Sequence, residues 1–157
     1  MTESDGTDRV VAAADALGLD YEVTRHGPVR SLEEAARARG IEPRQIVKTM
    51  VVRVSADDHR FVLVPGDREI AWPKLRAVVG VNRLSMPPAD AAYEVTGFVR
   101  GTITPLGSRT ALPVIADASV TGTVSIGGGA HGVALTVDAT ALVDALGATV
   151  ADVTDPA

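Results

Sequence analysis

The chain has 157 residues, a length typical of one domain with a single core, and 46% of them are hydrophobic while only 3% are aromatic. It contains no cysteine, which excludes disulfides, thiolate metal sites and a cysteine nucleophile. The net charge of −5 argues against a large surface that follows nucleic-acid phosphates, but it allows a pocket for one nucleotide end.

The N-terminal segment is polar and acidic, unlike a signal peptide, and no apolar run approaches the roughly 20 residues that a membrane helix needs. We therefore expect a soluble, cytoplasmic protein with no membrane partner. We expect one domain over residues 1–157, with residues 1–6 and 154–157 as loose ends.

The first half alternates helical and strand patterns. Helices are predicted in residues 7–17, 32–39, 72–79 and 89–95. Strands are predicted in residues 21–25, 43–54, 61–67 and 82–85, and the second and third of these form a hairpin. Ser31 and Glu34 form a capping-box pattern before the second helix, and Gly40 ends it. The first hairpin strand, PRQIVKTMVVRV, is β-branched and too apolar for a sheet edge.

The second half is rich in glycine, threonine and valine, a composition typical of short strands joined by glycine loops. Those strands are predicted in the segments GFVRGTITPLG, ALPVIAD, TVSIGGGAHG and VALTVD. A helix in residues 139–146 and a strand in residues 149–153 follow. Because helices and strands interleave, the pattern predicts an α+β class with a mixed, curved sheet.

One lysine has an unusual position in the first hairpin strand. Side chains alternate between the two faces of a strand, and Lys48 shares its face with Ile46, Met50, Val52 and Val54. A lysine directed inward costs several kcal/mol unless it meets an anion, an acceptor or water, so this position favours a pocket. The alternative is that the sheet curves and Lys48 extends its ammonium to solvent.

Two glycine-rich segments are candidate ligand loops. In GFVRGTITPLG, backbone N–H groups beside the glycines could bind a carbonyl oxygen, or the segment could be an ordinary bulge and turn. In SIGGGAHG, glycines surround His131, which is either a hydrogen-bond or proton-transfer group or a surface residue. Asp117, after an apolar run, either caps a turn or points into a site, and His26 precedes Gly-Pro where it could face a cleft.

Familiar catalytic and metal motifs are missing from the sequence. The histidines are not spaced as a metal set, and neither an HExxH motif nor a GxSxG nucleophile elbow occurs. We therefore expect no metal and no cofactor, and any chemistry would depend on polarisation and positioning.

These segments, in this order, resemble the YbaK/prolyl-tRNA editing family, also called the aminoacyl-tRNA deacylase or synthetase-associated domain. The matching pieces lie within residues 20–145 and are RHGPVRSLEEAARARGI, PRQIVKTMVV, VLVPGDREI, TGFVRGTITPLG, LPVIADAS and the glycine loop with VALTVDATAL. The resemblance implies an α+β fold with a central, barrel-like mixed sheet and flanking helices. It also implies hydrolysis of the ester between an amino acid and the terminal adenosine of tRNA.

The resemblance assigns the family lysine to Lys48, which would orient the substrate while a water, helped by a substrate hydroxyl, attacks the ester. The implied substrate-binding positions are Gly101, Thr102, Pro105, Gly107, Asp117, Gly128, Gly129 and His131, and we add His26 to them. Leu106 stands where the family commonly has an aromatic residue, a departure that would reshape the amino-acid pocket.

The leading hypothesis is a deacylase acting in trans on a mischarged tRNA, with alanyl- or cysteinyl-tRNA(Pro) as typical substrates. The implied partners are the aminoacyl-tRNA acceptor end and prolyl-tRNA synthetase, with no role on DNA, and we expect a monomer. Two alternatives stay open: a non-catalytic module of the same fold that binds tRNA or a synthetase, and a hydrolase of another small ester or amide.

Overall fold

The computed structural model describes residues 3–157 and has the predicted α+β class. The helices are α1 (Glu3–Ala16), α2 (Leu32–Arg39), α3 (Trp72–Val79), α4 (Ala89–Thr96) and α5 (Ala139–Leu146). The strands are β1 (Tyr21–Arg25), β2 (Val47–Ser55), β3 (Asp58–Pro65), β4 (Arg68–Ile70), β5 (Val114–Asp117), β6 (Thr123–Gly127), β7 (Val133–Asp138), β8 (Thr149–Ala151) and β9 (Thr154–Pro156). No helix in this part of the chain is long and apolar enough to cross a membrane.

The strands form three separate sheets. The first has the order β1-β7-β6 and is antiparallel, the second has the mixed order β2-β3-β5-β8, and the third pairs β4 with β9. A parallel bridge between Ile46 and Ser125 connects the first two sheets. The predicted mixed sheet is confirmed, and within residues 3–157 these sheets do not close into a barrel.

The two larger of three hydrophobic clusters among the described residues hold the sheets together, and the third packs α2 against Ile46. The larger core joins the first two sheets to α1 and α5 through buried side chains such as Val10, Val51, Leu135 and Leu142. The smaller core lies on the other face of the second sheet, where Leu75 of α3 packs against β2 and β3. Because β2 contributes to both cores, its sequence is apolar on both faces.

Local capping signals place α2 where the sequence predicts it. The Ser31 side chain accepts a hydrogen bond from the backbone N–H of Glu34, and Gly40 ends the helix in a left-handed conformation with φ of 71°. The Glu34 carboxylate accepts a hydrogen bond from the backbone N–H of Arg30, at 3.3 Å. In a standard capping box the donor would be the N–H of Ser31, so this second hydrogen bond is shifted by one residue.

The expectation that β2 is too apolar for an edge is wrong, because β2 is the outermost strand of its sheet. Among residues 3–157, its free edge is bridged only near the two ends, by Ile46 to Ser125 and by Arg53 to Ser85. The apolar sequence reflects burial of the two faces of β2, one in each of the two larger clusters.

Other differences concern short elements. Residues 82–85 contribute a single bridge, Arg53 to Ser85, in place of the predicted strand, and residues 97–107 form loops with no strand. Strands β4 and β9 were not predicted. The pairing of β9 with β4 gives residues 154–156 a fixed place in a sheet, where the sequence predicted a loose end.

Candidate active site

Two clefts lie against β2. The larger has a volume of about 550 Å³, within the roughly 300–1,000 Å³ typical of small-molecule sites. It is lined by Ile46 and residues 47–51 of β2, by residues 86–89 and Ala92, by the loop residues Arg100, Gly101 and Ile103, and by Arg39 and Gly127. The smaller, about 240 Å³, is lined by Lys48, Met50, Val64, Glu69, Ile70, Trp72 and Met86.

Lys48 lies where the two clefts meet, because it lines both of them. Its side chain is exposed, and its ammonium nitrogen lies 3.5 Å from the carbonyl oxygen of Arg68, the outer limit for a hydrogen bond. Among the described residues no carboxylate lies within 4 Å of it. The structure therefore combines the two sequence interpretations: the ammonium reaches solvent, and it does so inside a cleft.

The larger cleft is positively charged, although the chain as a whole is acidic. Its lining includes Arg39, Lys48 and Arg100 and no aspartate or glutamate, while the full chain has 20 acidic and 15 basic residues. Charges of one sign in a cleft with low-dielectric walls focus the electrostatic potential and attract an oppositely charged ligand. The cleft is therefore suited to an anion.

The open edge of β2 supplies polar backbone groups to this cleft. The N–H and C=O of Arg53 point away from β3 and bond to Ser85, and residues two apart in a strand direct these groups to the same side. The backbone groups of Thr49 and Val51 therefore face outward, along the stretch of β2 that lines the larger cleft. The buried Thr49 Oγ1 has no hydrogen-bond partner among the described residues. A ligand here meets a row of donors and acceptors.

The loop at Gly101 forms a second part of the cleft wall. Gly101 has φ of 89°, a left-handed conformation that favours glycine, and it is exposed in the cleft. Thr102 is buried and closes the turn, because its N–H and its hydroxyl both donate to the carbonyl of Val99, at 3.0 and 2.8 Å. Gly101 therefore presents backbone to the cleft from a loop fixed by Thr102.

The other candidate glycines and Pro105 do not line either cleft. A Cβ on Gly107 would lie 2.6 Å from the carbonyl oxygen of Arg9, and one on Gly129 would lie 2.6 Å from that of Gly6. A Cβ on Gly128 would lie 2.8 Å from the backbone carbonyl oxygen of Val133. These glycines allow close approach of backbone to backbone, principally to α1, rather than to the cleft. Leu106, expected to reshape the amino-acid pocket, is 1% exposed in the larger core.

Both candidate histidines support elements of the cleft from outside its lining. His131 Nε2 lies 3.2 Å from the carbonyl oxygen of Arg100, and because a carbonyl only accepts, this nitrogen donates to the loop before Gly101. His26 Nδ1 lies 2.8 Å from the carbonyl of Gly27, and Nε2 lies 3.4 Å from Nε of Arg39. His26 therefore reaches the cleft through Arg39.

Asp117, the last residue of β5, links two segments of the chain. Its carboxylate accepts hydrogen bonds from the N–H and the hydroxyl of Ser119 and, at 2.9 Å, from the N–H of Val153, and Arg68 Nε lies 3.9 Å away. Burial raises the pKa of Asp117, but the hydrogen bonds from Ser119 and Val153 outweigh it and hold that pKa below its ordinary value. The residue lines neither cleft, and it caps the turn after β5.

We expect Asp117→Asn to lower the free energy of unfolding by about 2–3 kcal/mol at pH 7, because it weakens charge-assisted hydrogen bonds at a buried position. The carboxylate's stabilising effect is present above the pKa of Asp117 in the unfolded chain and is lost as pH falls through its lower folded-state pKa. Urea unfolding of the wild-type protein and of Asp117→Asn should therefore show that the difference between their free energies of unfolding becomes smaller from pH 7 to pH 3. The exposed Asp144→Asn is the control, and an equal loss there would contradict this account.

Sequence reasoning missed two parts of the cleft. Arg39 was counted only within a helix, although it is the last residue of α2 and its side chain lines the cleft. Residues 86–89 form an apolar wall, for which the only signal was the pair Pro87-Pro88. In residues 3–157 no group of three or more histidine, aspartate or glutamate side chains could hold a metal ion.

Comparisons with known proteins place the chain among relatives. The model of the aminoacyl-tRNA editing domain family matches residues 26–145. The proline–tRNA ligase of Syntrophotalea carbinolica is 30% identical over 125 residues, and that of Thermosipho melanesiensis is 34% identical over 96 residues. These matches cover 80% and 60% of this chain but only 21% and 17% of the two ligases, so the chain spans about a fifth of their length.

A solved structure provides the corresponding likeness in three dimensions. It has been described, provisionally, as a trans-editing enzyme for prolyl-tRNA synthetase, and it superposes with a TM-score of 0.86 at 29% sequence identity. The match covers 96% of this chain and 97% of that one. With the family model matching most of the sequence, the chain belongs to the aminoacyl-tRNA editing domain family.

Proposed function

We propose that this protein is an aminoacyl-tRNA deacylase that acts in trans in the cytoplasm, with alanyl- or cysteinyl-tRNA(Pro) as its substrates. The observation that carries the proposal is the larger cleft, in which Lys48, Arg39 and Arg100 face the ligand without any acidic neighbour in the lining. The acceptor end of tRNA is anionic, so a cationic cleft on an acidic protein would bind that end without holding the whole molecule.

The reaction is hydrolysis of the ester that joins the amino acid to the terminal ribose. Water attacks the carbonyl carbon, the bond from that carbon to the ribose oxygen breaks, and the ribose oxygen takes a proton. The products are the free amino acid and uncharged tRNA. The cleft lining has no histidine, carboxylate or cysteine among the described residues, so the neighbouring ribose hydroxyl of the substrate is our candidate to assist the water.

Lys48 would orient this ester. An ammonium at the junction of the two clefts can hold the carbonyl or ribose oxygen and stabilise negative charge as it develops. Gly101 lines the same cleft, and the backbone N–H groups of its loop would bind the carbonyl. Thr102, Pro105, Gly107 and His131 then act by fixing that loop.

The second cleft supports a small aminoacyl group. Because Lys48 lines both clefts, an ester held at its ammonium can place the adenosine in the larger cleft and the amino-acid side chain in the smaller one. The smaller cleft, about 240 Å³, is lined mainly by apolar side chains such as Met50, Ile70 and Trp72. Alanine and cysteine side chains fit such a space.

The test is a deacylation panel with purified protein and tRNAs charged with alanine, cysteine, serine or proline. We expect release of alanine or cysteine well above the spontaneous rate, with prolyl-tRNA(Pro) spared. The proposal fails if all four charged tRNAs survive. Tight binding of a charged tRNA without release would instead identify a binding module, for which the lack of a base in the cleft lining is the supporting observation. Hydrolysis of a generic ester, indifferent to tRNA, would identify a different hydrolase.

A further inference from the structure

Arg39 is a half-buried cation without an anionic partner. It is the last residue of α2, it lines the larger cleft, and its neighbours are neutral: Nε donates to His26 and Nη1 donates to Ser125 Oγ at 3.1 Å. Among the described residues no carboxylate lies within 4 Å of it. Burial lowers the pKa of Arg39 below its ordinary value. Removing a cation from water without an anion is unfavourable, so the position points to an anion supplied by a ligand.

The guanidinium is held in a fixed orientation. The Gly27 carbonyl can only accept, so His26 carries its proton on Nδ1 and leaves Nε2 to accept from Arg39. Ser125 is fully buried in β6, so its hydroxyl is a rigid second contact. These contacts use two of the five N–H donors, and the remaining donors on a planar fork suit the paired oxygens of a phosphate.

We propose that Arg39, oriented by His26 and Ser125, binds the 5′ phosphate of the terminal nucleotide of the substrate. The inference rests on the proposed function, because an aminoacyl ester has no free carboxylate and its only anions are phosphates. It adds to that function a phosphate site and assigns His26 as a positioning residue.

The spacing along β2 agrees with this assignment. Arg39 bonds to Ser125, and Ser125 is bridged to Ile46, two residues before Lys48, which is roughly 7 Å along a strand. In the substrate, five bonds of about 1.5 Å separate the ester oxygen at the 3′ position from the 5′ phosphorus, a span of roughly 6 Å. The backbone position that anchors Arg39 and the one that carries Lys48 are therefore about one nucleotide apart, and both side chains line the larger cleft, which is compatible with an ester at Lys48 and a phosphate at Arg39.

The first measurement is binding, which does not depend on hydrolysis. Calorimetric titration should show that the protein binds adenosine 5′-monophosphate about 10- to 100-fold more tightly than adenosine, the gain typical of a charge-assisted pair at a partly buried site. We expect Arg39→Gln to remove this preference. Arg37→Gln, an exposed arginine on the same helix, should keep it. An unchanged preference in Arg39→Gln overturns the proposal and would leave the exposed Arg100 as the phosphate contact.

The second measurement is hydrolysis of 3′-alanyl-adenosine with and without a 5′ phosphate. Arg39→Gln should reduce kcat/KM about 10- to 100-fold for the phosphorylated ester and leave the other ester unchanged, mostly through KM. An equal loss on both esters would indicate a merely structural role and overturn the proposal. If the wild-type protein leaves both esters and all four charged tRNAs intact but binds the monophosphate through Arg39, the deacylase assignment fails and the phosphate site stands.

A second pair of variants tests the orientation of the guanidinium. It also keeps the proposal testable if Arg39→Gln does not fold. Arg39→Lys keeps the charge on a flexible stem and should lose several-fold of the preference for the phosphate. His26→Ala removes the acceptor for Nε while keeping Arg39, and it should weaken the same preference without affecting adenosine binding. An unchanged preference in Arg39→Lys and His26→Ala contradicts the proposed fork geometry.

Discussion

Replacing Lys48 with alanine is expected to reduce deacylation by about 100-fold or more while the fold stays intact. The rate should fall because an ammonium that orients the ester and stabilises developing charge typically contributes two or three orders of magnitude. The fold should survive because the side chain is exposed and makes only a long contact, at 3.5 Å, with the carbonyl of Arg68. Measurement of kcat/KM on alanyl-tRNA(Pro), with urea unfolding of the same samples, checks both parts.

Lys48→Arg separates charge from geometry. It keeps the positive charge, but a planar guanidinium on a different stem does not place a compact charge at the junction of the two clefts. We therefore expect it to recover only a small part of the lost activity. Full activity in Lys48→Arg would mean that Lys48 only attracts the anionic substrate, and the role in orientation would have to be abandoned.

The chain contains one other lysine, and it is a matched control. Lys74 bonds to the carboxylates of Asp152 and Asp155, at 3.1 and 2.9 Å, and it lines neither cleft. Lys74→Ala should keep wild-type deacylation, with at most a small loss of stability, because exposed ion pairs contribute little. If Lys74→Ala lost activity to the same extent as Lys48→Ala, a general effect of removing lysines, rather than the cleft, would explain the result.

Local patterns were enough to predict most helices and the first hairpin. The helix over residues 32–39 carries its start and end signals, Ser31 and Gly40, within ten residues of sequence. The hairpin of β2 and β3 follows from two β-branched runs around a polar turn. Strands β4 and β9 escaped prediction because three residues show no periodicity, and their pairing joins segments far apart in the chain.

Strand alternation found Lys48 but could not describe its surroundings. It placed Lys48 on the same face as Val52, which is buried, yet Lys48 itself is exposed. Alternation describes one strand at a time, whereas the cleft depends on where neighbouring elements stop covering the sheet. Arg39 illustrates the same point, because its position in the cleft depends on contacts with Ser125 of a distant strand.

The candidate glycines were predicted to let a ligand approach the backbone, but most of them let another part of the protein approach instead. Glycine permits close approach of another backbone, and the sequence does not say whether that backbone belongs to a ligand or to the protein. Gly101 faces the cleft, whereas Gly107 and Gly129 face the first turns of α1, at Arg9 and Gly6. Both glycine loops are therefore fixed partly by α1, a helix that does not line either cleft.

This arrangement predicts that Gly107→Ala strongly destabilises the fold. Gly107 has φ of 74°, and an added Cβ would lie 2.6 Å from the Arg9 carbonyl oxygen, which belongs to a helix and cannot shift easily. The substitution would also strain the contact in which Arg9 Nε donates to the Gly107 carbonyl at 3.0 Å. A left-handed alanine costs about 1–2 kcal/mol and overpacking about 1–3, so we expect a loss of roughly 2–5 kcal/mol in urea unfolding.

Gly122→Ala isolates the steric part of that loss. Gly122 has a nearly identical φ of 70°, but a Cβ there would meet nothing within 4 Å. Its alanine variant should therefore lose only the conformational part, about 1–2 kcal/mol. The difference between the two variants measures how tightly α1 packs against the loop that carries Gly101. If both lost the same free energy, α1 would yield to the new methyl group, and the loop's position would have to depend on Thr102 and His131 instead.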